Sequence, residues 1–193
     1  MSDNKVKSIL FAGVGGQGIL RASDIICEVI MAAGFDVKKS EVHGMAQRGG
    51  CVTSHVLYGK KVYSPLAEPG TIDTLISFEK MEALRYLKLL KKDASVIVNT
   101  EEIYPPAINL GEAVYPDDVV GFLKGNYGKV ISIDAVDLAK KAGNAKTANV
   151  VLLGALSNLM SIDKPIWERV IRKSFPEKLI KVNLAAFQMG INA

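Results

Sequence analysis

A three-layer α/β fold is what this amino-acid sequence predicts: a mixed, mainly parallel sheet with helices on both faces and a helical C-terminus. Three observations lead to it. Apolar runs of strand length alternate with helical periodicity over roughly the first three quarters of the chain. A glycine-rich turn, Gly13-Val14-Gly15-Gly16-Gln17-Gly18, separates the first apolar run from the first helical stripe. From Asn149 onward strand patterns stop and only helical patterns follow. Such alternation implies a sheet covered on both faces, and the glycine turn makes the arrangement Rossmann-like.

The elements follow in order. SILFAG (8–13) is a buried strand, and residues 17–34 form a helix with apolar positions 19, 22, 26 and 30 in one stripe, closed by Gly34. DVKKSEV (36–42) is a second strand, and HGMAQRGG (43–50) a loop. CVTSHVLYGKKVYS (51–64) reads as a hairpin turning at Gly59-Lys60. TLISF (74–78) is a strand, EKMEALRYLKLLKK (79–92) a helix with leucines at helical spacing, and ASVIVNT (94–100) another strand. After a proline-containing loop, EAVYP (112–116) is a short strand, and DDVVGFLKG (117–125) a helix opened by two acids. KVISIDA (129–135) is a further strand and VDLAKKAG (136–143) a short helix ending at glycine. NVVLLGALSNLM (149–160), PIWERVIRKSF (165–175) and KLIKVNLAAFQMGI (178–191) are helices, with Pro165 in a first turn. No linker, repeat or low-complexity tract interrupts this order, so residues 1–193 are expected to form a single domain.

Composition narrows the function classes. A chain of 193 residues, 49% of them hydrophobic, is globular rather than disordered. The densest apolar stretch, Val150 to Leu156, falls well short of the ~20 residues that span a bilayer. The basic and apolar N-terminal run lacks a small-residue cleavage site and breaks at once into glycines, so a cytoplasmic protein without membrane association is expected. Cys27 and Cys51 cannot supply the roughly four thiolates of an iron–sulfur cluster. Cys27 falls in an apolar helical pattern and reads as a buried structural thiol. Two histidines without close cysteine spacing make a zinc site improbable. The net charge of +4 rests on lysine pairs such as Lys38-Lys39, expected at element ends and without interleaved aromatics, so nucleic acid is not an expected partner.

Two stretches carry chemistry. Gly13, Gly15 and Gly18 match G-x-G-x-x-G between strand and helix, where backbone N–H groups at a helix N-terminus can meet an anion or a partner's backbone. Glu41 lies 23 residues beyond Gly18, where a ribose-binding carboxylate could sit. A free-standing dinucleotide-binding protein is therefore one reading. The other is a tight turn in which glycines let helix and sheet pack closely, and the additional Gly16-Gln17 is not demanded by the dinucleotide pattern. The second stretch, Glu41 to Gly50, combines His43, Gln47, Arg48, Gly49 and Gly50 in one loop. Arg48 offers a planar fork for carboxylate or phosphate, while His43 lacks an evident catalytic set and reads as a polar loop residue. This loop should share the sheet's carboxyl edge with the glycine turn. Ser54 and His55 alternate faces on the next strand, and either reads as a solvated side chain.

Together, GVGGQG, KKSEVHGMAQRGG followed by VTSHV, KVYSPL, VIVNT and NVVLLGAL resemble the small, gamma-type subunit of 2-oxoacid:ferredoxin oxidoreductases. The HGMAQRGG form is similar to the indolepyruvate, or arylpyruvate, branch, and Cys51 departs from the small residue expected after Gly50. The resemblance implies a complex that oxidatively decarboxylates a 2-oxoacid to an acyl-CoA and passes electrons singly to ferredoxin. It implies that thiamine diphosphate, Mg and the iron–sulfur clusters belong to a larger partner subunit, with CoA as substrate. This chain would bind no cofactor alone and contribute no catalytic residue or metal ligand. It implies further that Gly13, Gly15, Gly16, Gln17, Gly18, His43, Gln47, Arg48, Gly49 and Gly50 form a cofactor-binding or interface surface near thiamine or CoA. An apolar-rich chain with glycine-heavy loops on one sheet edge should present a surface completed by another protein, through which the isolated chain could form a homo-oligomer.

Overall fold

The computed structural model describes residues 5–44 and 50–193. Its sheet has six strands: β1 (Lys7–Val14), β2 (Asp36–His43), β3 (Cys51–Gly59), β4 (Ile72–Ser77), β5 (Leu90–Asn99) and β6 (Lys129–Ile133). Their spatial order is β2-β3-β1-β4-β5-β6. β1, β4, β5 and β6 are parallel, while β3 runs antiparallel to both β1 and β2. The helices are α1 (Ile19–Ala32), α2 (Lys80–Arg85), α3 (Pro106–Asn109), α4 (Val119–Asn126), α5 (Ala135–Ala142), α6 (Ala148–Ser157), α7 (Lys164–Ser174) and α8 (Glu177–Ile191). The expected mixed, mainly parallel sheet with helical C-terminus is what forms.

Alternation along β1 divides the core. Ile9 and Phe11 point to one face, where they meet Ile25, Ile26 and Ile30 of α1, Val150 and Leu153 of α6, and Trp167 of α7. Leu10 and Ala12 point to the other, with Leu75, Val96, Val98, Ala83 of α2 and Leu123 of α4. Because β1 is central and covered on both faces, every residue after Lys7 is buried. Trp167 stacks on Phe187 of α8 at 5.7 Å between ring centroids and is fully buried; removing so large a side chain costs about 3–5 kcal/mol. Helix α6 is buried from Asn149 to Ser157 because it lies between the sheet and α8. Glycines permit that crossing: a Cβ on Gly190 would stand 1.8 Å from the Val151 carbonyl oxygen, and one on Gly154 2.2 Å from that of Phe187. Asp134 caps α5 by accepting from the Asp137 N–H at 2.8 Å, and Gly143 ends it with φ +113°.

Four expectations are corrected. CVTSHVLYGKKVYS is not a hairpin: β3 ends at Gly59, and its two ladders run to β2 and β1. Gly59 instead lies against the chain's N-terminal segment, where a Cβ would stand 3.4 Å from the Lys5 carbonyl oxygen, an ordinary contact. The helix expected over 79–92 stops at Arg85, because Leu90 already pairs with Ile72 as the start of β5. EAVYP forms no strand, and α3 occupies part of the preceding loop. Lys38 and Lys39 stand within β2 rather than at its end. Among the described residues, no helix is long and apolar enough to cross a membrane.

Candidate functional site

Four parallel strands end on one edge, and the glycine turn is the first of their exits. Gly13 lies so close to the β4 exit that a Cβ would meet the Phe78 Cβ at 2.7 Å. The turn's backbone is committed in part: the Gly15 N–H donates to the Gly50 carbonyl over 3.0 Å, and the Gln17 N–H to Val14 over 3.3 Å. Gly16 (φ +100°) and Gly18 (φ +80°) hold left-handed conformations that L side chains rarely adopt. Gly18 caps α1, whose first turn has neither a side-chain cap nor an acidic residue.

Gln17 ties three strands together. Its Oε1 accepts from the Val14 N–H at 2.8 Å, and its Nε2 donates to the Phe78 carbonyl and to Glu101 Oε2, each at 2.8 Å. Asn99, at the end of β5, donates to the same Phe78 carbonyl at 2.9 Å, while its Oδ1 accepts from the Ala135 N–H at 3.0 Å. Asn149 reaches from α6 to the Gly18 carbonyl at 3.3 Å. A cleft of about 510 Å³ opens over this network, lined by Gly16, Gln17, Gly18, Asn99, Glu101 and Lys146 among others. At the β4 exit, next to Phe78, fully buried Glu79 caps α2 through the Glu82 N–H at 2.9 Å and accepts a short hydrogen bond from the Tyr115 hydroxyl. That bond and burial push the Tyr115 hydroxyl's pKa well above its usual value, with burial the larger cause.

The two motifs converge. Gly44 donates to the Cys51 carbonyl at 2.8 Å where the loop begins, and Gly50 accepts from Gly15 where it ends. His43 closes β2 opposite Val52. Gln47, Arg48 and Gly49 lie outside the described residues, as do Met45, Ala46 and the side chain of His43. The turn and the described ends of the loop, Gly44 and Gly50, share an edge because β3 lies alongside β1, and not because β2 neighbours β1.

That insertion works against the dinucleotide arrangement. Glu41 pairs across β3 through Ser54, which pairs with Phe11, so it stands two strand spacings, about 10 Å, from β1. Its carboxylate meets Lys39 at 2.6 Å, and Lys39 also pairs with Asp24. Ser54 is fully buried and its hydroxyl unpartnered among the described residues, and His55 is half-buried with an unpartnered Nδ1; neither is the solvated side chain expected. Cys27 is half-buried against the α1-side core, its thiol pushed up to about 11 chiefly by burial, while Cys51 is exposed. Among the described residues no three His, Cys, Asp or Glu side chains group as metal ligands.

Asn99, Glu101, Asn149 and Glu79 escaped the sequence reading. The available signal for the first two was polar residues directly after the apolar run SVIV, at a strand's carboxyl end, where open α/β sheets place their sites.

Residues 8–193 match the family model for pyruvate ferredoxin/flavodoxin oxidoreductase. The chain is 41% identical to indolepyruvate oxidoreductase subunit IorB of Thermococcus kodakarensis, covering 98% of this chain and 96% of that protein. To the subunit of the same name in Archaeoglobus fulgidus it is 43% identical, over 96% and 94% of the two chains. A solved gamma subunit of a keto/oxoacid ferredoxin oxidoreductase from Geobacter sulfurreducens superposes with TM-score 0.72 at 26% identity, each chain covered to 96%. A 2-oxoglutarate:ferredoxin oxidoreductase from Magnetococcus marinus shares the fold at TM-score 0.77 and 24% identity, across 98% of this chain and 31% of that longer one.

Proposed function

The chain belongs to the pyruvate ferredoxin/flavodoxin oxidoreductase family, and from that premise we propose that it is the small subunit of an indolepyruvate ferredoxin oxidoreductase. The carrying observation is the 41–43% identity to indolepyruvate oxidoreductase subunits along almost the whole chain. In this reading residues 1–193 form one gamma-type domain. The complex converts an arylpyruvate and CoA to an aryl-acyl-CoA and carbon dioxide, and ferredoxin takes the electrons. Cytoplasmic location is part of the proposal.

Thiamine diphosphate, with Mg, supplies an electron sink for decarboxylation, and iron–sulfur clusters supply single-electron transfer. The donor set of this chain does not fit a cluster, since two cysteines fall short of about four thiolates and one has a thiol pKa near 11. The clusters are therefore assigned to a larger partner subunit, and the resemblance to gamma-type subunits implies the same for thiamine diphosphate. The chain's own part is to present an ordered edge. Gln17, Asn99 and Glu101 brace the strand exits, and Gly15 bonded to Gly50 holds the end of the loop beside the turn. The proposal places Gly13, Gly15, Gly16, Gln17, Gly18, His43, Gln47, Arg48, Gly49 and Gly50 on the face that meets the partner near its thiamine or CoA.

The test is co-expression with a larger, thiamine-dependent subunit of the same kind of complex. A heteromer that survives gel filtration and reduces a viologen dye with indolepyruvate only in the presence of CoA is the expected result. Separate elution at mild salt, or full activity of the larger subunit without this chain, would overturn the proposal.

A further inference from the structure

The opposite edge of the sheet holds a second cavity, of about 470 Å³. It lies at the amino end of β1, roughly 23 Å from the glycine turn at the strand's rise of about 3.3 Å per residue. Lys5, Lys7 and Lys60 line it, together with Phe35, Tyr58 and Ile162. The lysines meet for a structural reason: the backbone at Lys5 and Val6 packs on Gly59, which sets Lys5 beside Lys60. Lys7 pairs directly with Tyr58 across the β1–β3 ladder, so their side chains share a face. All three lysines are exposed, and none makes an ion pair among the described residues. The nearby Asp73 is already held by Lys91 and by the Ser8 N–H at 2.9 Å.

The walls are apolar and aromatic. Phe35, 40% exposed, stands edge-on to Tyr58 at 6.3 Å between centroids, and Tyr58 is buried. Burial, with the Asp73 charge second, pushes the Tyr58 hydroxyl up to about 12, so it stays a neutral donor at physiological pH. Ammonium groups gathered around an apolar floor repel one another, and an anion relieves that repulsion while its apolar body covers the rings.

We propose that this cavity binds a small anion with an aromatic body, its charge met by Lys5, Lys7 and Lys60 and its ring laid against Phe35 and Tyr58. An aryl carboxylate and a purine nucleotide share this chemistry. The site is separate from the carboxyl edge and does not rest on the function proposed for that edge.

Titration calorimetry on the full chain tests it with three probes: phenylpyruvate, ADP and inorganic phosphate. At least one aromatic anion should bind about tenfold or more tightly than phosphate, a difference of about 1.4 kcal/mol. Which of the two does so identifies the source. The double variant Lys7→Glu/Lys60→Glu should weaken that binding about tenfold or more. Both positions are exposed, and an unchanged circular dichroism melt would show that the fold is intact. Phe35→Ala should weaken the aromatic anion and leave phosphate unaffected. Absence of heat with both aromatic probes, phosphate binding as tightly as either, or unchanged affinity in the lysine double variant would each overturn the proposal.

Discussion

Gln17 Nε2 donates to Glu101 Oε2 at 2.8 Å across 84 residues of sequence, joining the glycine turn to the exit of β5. The same nitrogen reaches the Phe78 carbonyl, so one amide holds the ends of β1, β4 and β5 in register. An amide suits this position because it both donates and accepts.

Gln17→Ala should therefore destabilise the chain by about 1–3 kcal/mol, since it removes the side-chain acceptor of the part-buried Val14 N–H and leaves the Phe78 carbonyl to Asn99 alone. For a chain of this size that is a fall in Tm of roughly 2–4 °C per kcal/mol. Gln17→Glu should fall further at neutral pH, because a second carboxylate would face Glu101. Thermal melts of the three proteins check both points, and a glutamate variant as stable as wild type would show that the network is not what braces this edge.

Gly16 and Gly18 separate strain from packing. Both hold positive φ, but a Cβ on Gly18 would meet the Asn149 amide nitrogen at 2.7 Å, whereas one on Gly16 meets nothing within 4 Å. Gly16→Ala should cost the strain alone, about 1–2 kcal/mol. Gly18→Ala should cost more, since Asn149 must also give up the Gly18 carbonyl. Urea midpoints rank the two directly; equal losses would mean that Asn149 yields freely.

His55 sets an acid limit. Burial holds its imidazole below the ordinary 6.5. The unfolded chain then takes up its proton at higher pH than the folded chain does. Stability from this group is complete above about pH 6.5 and is lost as pH falls through 6.5 toward the lower folded value. His55→Gln should flatten the decline in Tm between about pH 7 and 5. Parallel pH profiles for the two proteins would exclude His55 as the titrating group.

Arg48 tests the loop. Glycines follow it in AQRGG and supply no packing, so Arg48→Ala should shift stability by no more than about 0.5 kcal/mol. Turnover of the assembled complex should drop sharply, with Arg48→Lys recovering only part, because a point charge cannot reproduce a bidentate fork. Dye reduction with an arylpyruvate, beside a melt of the free chain, decides it. Full turnover in the alanine variant would reduce the loop to scaffold.

Local chemistry made much of this protein legible. Gly143 marks the end of α5 in sequence, because a cap acts within one turn, whereas Asp134 reads as part of a strand over 129–135 and in the structure caps the start of that helix. The run SILFAG ahead of glycines announces β1 and its turn for the same reason. Misreadings arose where one residue type serves two purposes. Gly59 resembles a hairpin turn yet ends β3 opposite Asp36, and the leucines of 84–90 suit a helix yet serve the packing of α2 and the start of β5 in succession.

The sequence alone determined the alternation of strands and helices, the glycine turn between β1 and α1, the helical C-terminus and the resemblance to gamma-type subunits. These rest on spacing and on residues close in the chain. Tertiary structure alone decided that β3 lies between β2 and β1, that Gly50 meets Gly15, and that Glu41 stands two strands from the turn. It alone brought Gln17 to Glu101 and gathered Lys5, Lys7 and Lys60 around one cavity. Strand partnership is the reason. Any exposed ladder edge offers the same N–H and C=O groups, so which strand pairs with which is chosen by burial of side chains far apart in sequence, and no local pattern records that choice.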